Sequence, residues 1–268
     1  MKKLILLSLL ALFSCDKKNG LEPVDTKALN YCGNIPWSPR SYGTVTDIDG
    51  NNYKTIKIGN QTWMAENLRT TRYSNGDPIP YVNGYEEWDS LTTGAYCWYI
   101  DSIDIDDDGT KDYGVSYKEC AGNLYNFYVV EDTRNVCPTG WHVPSEAEWV
   151  ELIEFDRQYS SGAGVGTSLS PVEAWPSDAF EIWGSFNDDF GFRALPAGNL
   201  IFNFHYFKSN GNWWTSDEAG YNYKDDYEGR SIEMWKGAGS PVFSHGDPGS
   251  GGGSFDANFG LSIRCVKD

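Results

Sequence analysis

The sequence predicts a compact, loop-rich domain that mixes short strands with one well-signalled helix, and three observations predict it. Turn signals separate β-branched runs early in the chain, a capping motif opens an amphipathic helix near its middle, and short aromatic runs alternate with Gly, Asn and Asp toward residue 266. Gly contributes 29 residues, Trp 11 and Tyr 17 of the 268, a balance that suits many turns closed over large aromatic side chains.

The first element is a leader. In "MKKLILLSLLALFSC", Lys2 and Lys3 precede an apolar run from Leu4 to Phe13, and about ten residues is half of what a bilayer-spanning helix needs. It reads as a secretion signal over residues 1–14. The segment Leu12 to Cys15 resembles the lipobox of bacterial lipoproteins, which implies lipidation at Cys15 and anchoring in the cell envelope, at the outer membrane or cell surface. Residues 15–43 form a polar tether and N-terminal extension, and residues 44–268 a single domain. No later apolar run is long enough to span a membrane.

Strands come next. "TVTDI" and "YKTIKI" flank the turn signal "DGNN", and "IGNQTW" supplies a second turn, so a β-meander is expected. In "TWMAENL", Trp63, Met64 and Leu68 read as core. In the stretch "VCPTGWHVPSEAEWVEL", Pro138 and Gly140 turn the chain between Cys137 and Trp141. Ser145 and Glu148 then make a capping box, each serving the other's backbone N–H. Trp149, Leu152 and Ile153 fall on one face of the helix that follows, while Glu146, Glu151 and Glu154 stay off it. His142, at the start of this corner, reads as packed or hydrogen-bonded rather than catalytic. From Gly191 to Val266, short strands joined by long loops are expected.

Taken in order, "VTDIDGNNYKTIKIGNQTWMAENLRTTRYSNGDPIP", "GAYCWY", "GNLYNFYVV", "CPTGWHVPSEAEWVEL", "GFRALPAGN", "NWWTSDE" and "FGLSIRCVKD" resemble the Fibrobacter succinogenes major paralogous domain over roughly residues 44 to 268. The helix, the "WWTS" segment and the closing "FGLSIRCV" are also similar to the formylglycine-generating enzyme, a variant of the C-type lectin fold. The resemblance implies an α+β, C-type-lectin-like domain of short antiparallel strands, few helices and long loops, whose ends meet. It also implies a disulfide between Cys137 and Cys265. A cross-link closing so long a loop removes roughly 5 kcal/mol of unfolded-state entropy. Of the other cysteines, Cys120 could pair with Cys97 or with Cys32, and the sequence leaves both open. No C-x-x-C pair occurs, which argues against a zinc ribbon.

Two candidate sites stand out. Between "GAYCWY" and "GNLYNFY" lies "DSIDIDDDGTKDYG", where Asp104, Asp106, Asp108 and Asp112 take positions 1, 3, 5 and 9 of a calcium loop. Glycine falls at position 6, and Thr110 offers a backbone carbonyl at position 7. Val115 stands where an EF-hand has its bidentate Glu, and no helical flanks appear, so calcium is expected in a short extracellular loop of another kind. The second candidate is the aromatic run from Asn199 to Trp214 with "GYNYKDDYEG" after it. There Tyr206, Trp213, Tyr221, Tyr223 and Asp225 suit a glycan, because ring faces stack on sugar C–H faces and carboxylates bind hydroxyls.

The formal charge of −17 repels polyanions and excludes nucleic acid as a partner. No nucleophile elbow, H-E-x-x-H or P-loop appears, and the three histidines are scattered. The expected protein is a cell-envelope lipoprotein with a non-catalytic binding or adhesion domain for a glycan or protein ligand. A glycan-processing enzyme and a purely structural envelope component are the alternatives.

Overall fold

The computed structural model describes residues 34–98, 100–103, 112–159, 166–175, 187–200, 204–205, 207–221, 227–235, 244–245 and 254–268. The expected leader, its Cys15 and the tether up to Cys32 lie outside these residues.

The predicted meander forms. Strands Gly43–Thr46, Asn52–Ile58 and Gln61–Met64 pair antiparallel in sequence order. The turn between the first two is organised by Asp47, whose carboxylate accepts the Asp49 and Asn51 N–H groups at 3.0 and 2.9 Å and the Tyr53 hydroxyl at 2.6 Å. This is an Asx-type turn, set by the aspartate two residues ahead of "DGNN". At the second turn Gly59 adopts a φ of 58°, the left-handed region that glycine enters without strain.

Val266–Lys267 then inserts between Gln61–Met64 and Trp141–His142, completing a five-stranded antiparallel sheet in which Val266 lies opposite both Trp63 and His142. The two ends of the domain therefore meet in one sheet. Strand alternation sorts neighbouring side chains into two cores. Trp63, Trp213 and Val266 pack with Trp149, Leu152 and Phe192 on one side, while Met64, Trp214 and Cys265 pack with Tyr125, Phe127 and Trp141 on the other.

The corner from Cys137 to the main helix follows the sequence closely. Cys137 and Cys265 are joined by a disulfide across 128 residues, with Cα atoms 6.0 Å apart. Glu148 Oε2 accepts the Ser145 N–H at 2.8 Å, and Ser145 Oγ accepts the Glu148 N–H at 3.3 Å, the reciprocal cap expected. The helix runs Glu146–Tyr159 and buries Trp149, Leu152 and Ile153. Asp156 continues that buried face, and its carboxylate accepts the Gly166 N–H. Burial pushes its pKa up to about 6.

His142 is held between two carboxylates, its ring nitrogens 2.6 Å from Asp268 Oδ1 and 2.8 Å from Glu148 Oε1. Burial opposes its charge, but the hydrogen bonds to Asp268 and Glu148 outweigh that and raise its pKa. It links the last described residue to the helix cap, a structural use of a histidine.

The C-terminal region corrects one expectation. Instead of only short strands, Asn210–Tyr221 and Tyr227–Trp235 form a long antiparallel hairpin of 12 and 9 residues, extended by Ser244–His245 and Ser254–Asp256. The glycines that read as breaks are packing positions. A Cβ on Gly229 would lie 2.2 Å from the Phe127 ring, and one on Gly211 2.3 Å from the Trp213 ring. Strand glycines of this kind mark a close approach rather than a turn. The class is α+β, dominated by antiparallel strands with few helices.

A buried polar knot joins the two cores. Asn67 Oδ1 accepts from Arg264 Nη2 at 2.7 Å and from the Trp213 indole N–H at 2.9 Å, while Asn67 Nδ2 donates to the Ala121 carbonyl at 2.8 Å. Arg264, fully buried, also donates to the Phe192 carbonyl at 2.6 Å and stacks 4.4 Å from the Phe192 ring. Burial, followed by the nearby Arg193 charge, lowers its pKa to about 9.

Candidate functional site

A cleft of about 910 Å³ opens at the far end of the long hairpin, within the size range of roughly 300–1,000 Å³ usual for ligand sites. Four segments build it. The hairpin supplies Glu218 and Tyr227, and the strand Ser254–Asp256 with its continuation supplies Asp256, Ala257 and Asn258. The short helix Phe127–Val130 brings Tyr128 and, at its end, Glu131. Helix Tyr85–Asp89 and the residues after it contribute Asp89, Ser90, Leu91 and Thr92.

These segments are pinned to one another through backbone groups. The Ala257 N–H donates to the Tyr227 carbonyl at 2.7 Å, and the Phe127 N–H to the Ala257 carbonyl at 2.8 Å. Asn258 Nδ2 donates to the Asp89 carbonyl at 2.8 Å, and the Trp88 indole N–H donates to the Asn258 carbonyl. The cleft is thus lined from rigid attachments rather than from a free loop, which preserves its shape for a ligand.

Its described lining is acidic. Asp89, Glu131, Glu218 and Asp256 line it, with no Lys, Arg or His among the described lining residues. The Tyr227 hydroxyl donates to Glu131 Oε2 at 2.8 Å. Burial, then the hydrogen bond and charge of Glu131, and then Glu218 push its pKa well above the ordinary phenol range, so it stays a neutral donor. Its ring packs edge-on to Phe127 at 5.9 Å and lies 6.2 Å from Tyr128. Carboxylates accepting hydrogen bonds beside tyrosine rings can hold a hydroxyl-rich or amine-bearing ligand, and they repel an anionic one.

The structure distributes the sequence-predicted residues differently. Trp213 is completely buried and its indole N–H is committed to Asn67, so it belongs to the core and not to a ligand surface. The reason is pleat: in "NWWTS" both tryptophans face inward because each side of this strand has its own core. Tyr221 lies opposite Tyr227 at the end of the hairpin, beside the cleft. Tyr206, Tyr223 and Asp225 lie outside the described residues, as do Asp104, Asp106, Asp108 and Thr110. Asp112 opens strand Asp112–Ser116, which pairs with Ile100–Ile103 so that Ile103 stands opposite Asp112. The acidic insert is therefore carried on a β-hairpin, in keeping with the missing helical flanks. Among the described residues no group of three or more His, Cys, Asp or Glu side chains is placed to hold a metal ion.

Cys97 is a buried free thiol and Cys120 is disulfide-bonded, so the bridge between them that the sequence left open does not form. The partner of Cys120 lies outside the described residues. No helix among the described residues is long and apolar enough to cross a membrane.

Fold and cleft together define an antiparallel α+β domain with a built-in acidic surface cleft. The family described as the Fibrobacter succinogenes major domain matches residues 56–267, and the chain belongs to that family. No match was found among curated proteins or among solved structures.

Proposed function

We propose that the protein is a bacterial cell-envelope lipoprotein whose C-type-lectin-like domain is a non-catalytic binding or adhesion module. The observation that carries the binding reading is the cleft around Tyr227 and Glu131, in which tyrosine rings and carboxylates converge, with no basic residue among the described lining residues. A neutral or amine-bearing glycan fits that chemistry better than an anionic polymer. Domain ends that share one sheet, with a disulfide from the helix corner to the last strand, support the lectin-like comparison.

The test is retention of purified protein on glycan and protein arrays, followed by titration of the best ligand against Tyr227→Ala and Glu131→Gln. Each substitution is expected to weaken binding about tenfold, the loss of a contact worth about 1.4 kcal/mol. Turnover of a polysaccharide panel would favour the glycan-processing alternative. Blank arrays with co-purifying envelope proteins would favour a structural role.

Lipid anchoring at Cys15 belongs to the same proposal, on the strength of the lipobox-like "LFSC". Cys15→Ala is expected to abolish labelling by a palmitate analogue and to release the protein from membranes; unlabelled, soluble wild type would refute the anchor. Calcium is proposed as the ligand of the insert. The spacing of its carboxylates motivates this, and a rise in melting temperature when calcium is added to chelator-stripped protein is the expected result.

A further inference from the structure

A second pocket, about 340 Å³ in volume, lies at the base of the acidic hairpin. It is distinct from the cleft in place and in charge. The first turn of the meander and the segment that follows its last strand face the residues that flank the insert: Asn51 and Arg69 on one side, Tyr96, Trp98, Lys118 and Asn123 on the other.

Most of its charges are already matched. Arg69 pairs with Glu66 at 3.2 Å and lies 4.6 Å from the Tyr53 ring. Asp49 pairs with Arg72 at 3.2 Å and accepts the Thr71 N–H and hydroxyl at 2.5 and 2.9 Å. Lys118 differs. It forms no ion pair with the described residues, and its ammonium stands 4.7 Å above the Trp98 ring. Tyr81 stacks on Trp98 with ring centroids 4.3 Å apart, and Tyr96 lies 6.3 Å from Trp98. An ammonium held over an aromatic ring keeps its charge and its position while its hydrogens stay available to an acceptor.

The two amides complement it. Asn51 Nδ2 donates to Asp47 at 2.9 Å, and Asn123 Nδ2 donates to the Arg69 and Thr70 carbonyls at 2.9 and 3.2 Å. The Asn123 hydrogens and one of the two on Asn51 are committed to the protein, which turns the amide oxygens to use as acceptors. One unmatched cation, two amide acceptors and an aromatic wall in a pocket of this volume describe a small ligand with a carboxylate, several hydroxyls and an apolar face.

We infer that this pocket binds a hexuronate residue, its carboxylate on Lys118, its hydroxyls on Asn51 and Asn123, and its ring against Tyr96 and Trp98. Glu119, exposed on the rim, opposes the ligand's charge and weakens the site.

Calorimetric titration of the purified protein with galacturonate, galactose and acetate tests the inference. Galacturonate is expected to bind at least about tenfold more tightly than either control, more weakly as salt is raised. Lys118→Met should lose about tenfold in affinity, Lys118→Arg should retain most of it, and Glu119→Gln should tighten it, all with unchanged melting temperatures. Tyr227→Ala in the cleft should leave galacturonate binding unaltered, which separates this site from the one proposed above. Equal binding of galacturonate and galactose, acetate binding as tightly as the sugar acid, or a Lys118→Met protein that binds like wild type would each overturn the inference.

Discussion

Replacing Cys137 and Cys265 together by alanine is expected to lower the melting temperature by on the order of 10–20 °C. The bond closes 128 residues, and in the chain-entropy model its loss returns about 5 kcal/mol of freedom to the unfolded chain. For a domain of this size each kilocalorie moves the midpoint by roughly 2–4 °C. The position adds to the effect, because both cysteines are fully buried and fix the turn before Trp141 to the strand that closes the sheet. Thermal unfolding followed by circular dichroism, with and without the pair, measures it. A shift of only a degree or two would mean that the corner is held by packing alone.

The second large effect is expected at Asn67. Its side-chain oxygen serves a buried guanidinium and a buried indole at once, and its amide serves the Ala121 carbonyl. Asn67→Ala takes a partner from all three groups, leaving the guanidinium only the Phe192 and Arg193 carbonyls, at a cost of roughly 4 kcal/mol, since a buried donor that loses its acceptor does not recover its solvation and a charged one loses more. Arg264→Met removes the charge instead of stranding it and should cost clearly less. Denaturant melts of the two variants decide the matter: if Arg264→Met proved the more damaging, the arginine's own contacts with the Phe192 carbonyl and ring would be the dominant ones.

These features differ in how far the chain announces them. The capping box at Ser145 and Glu148, the turn at "DGNN" and the core positions Trp63, Met64 and Leu68 are written in a few adjacent letters, because local hydrogen bonds and strand or helix periodicity decide them. The long hairpin was obscured by Gly211 and Gly229, which look like breaks and are in fact spaces for aromatic rings. The cleft is harder still to read. Tyr227 falls inside the flagged stretch "GYNYKDDYEG", but Asp89, Glu131 and Asp256 come from separate segments and only the tertiary fold brings them together. Trp213 shows the converse: an aromatic–polar run carries no mark of which rings face inward when both faces of the strand are covered.

The place of Val266–Lys267 in the sheet has a kinetic consequence. The strand lies between the meander and Trp141–His142, so those two parts cannot join through it until residue 267 has emerged from the ribosome. Sheet pairing across some two hundred residues is slow, because the loop must close before any contact rewards it. The meander can form early, but its far edge at Gln61–Met64 stays open until Val266 arrives. Closure of the sheet therefore waits for the same segment that brings Cys265 to Cys137, so the last strand and the disulfide are completed together.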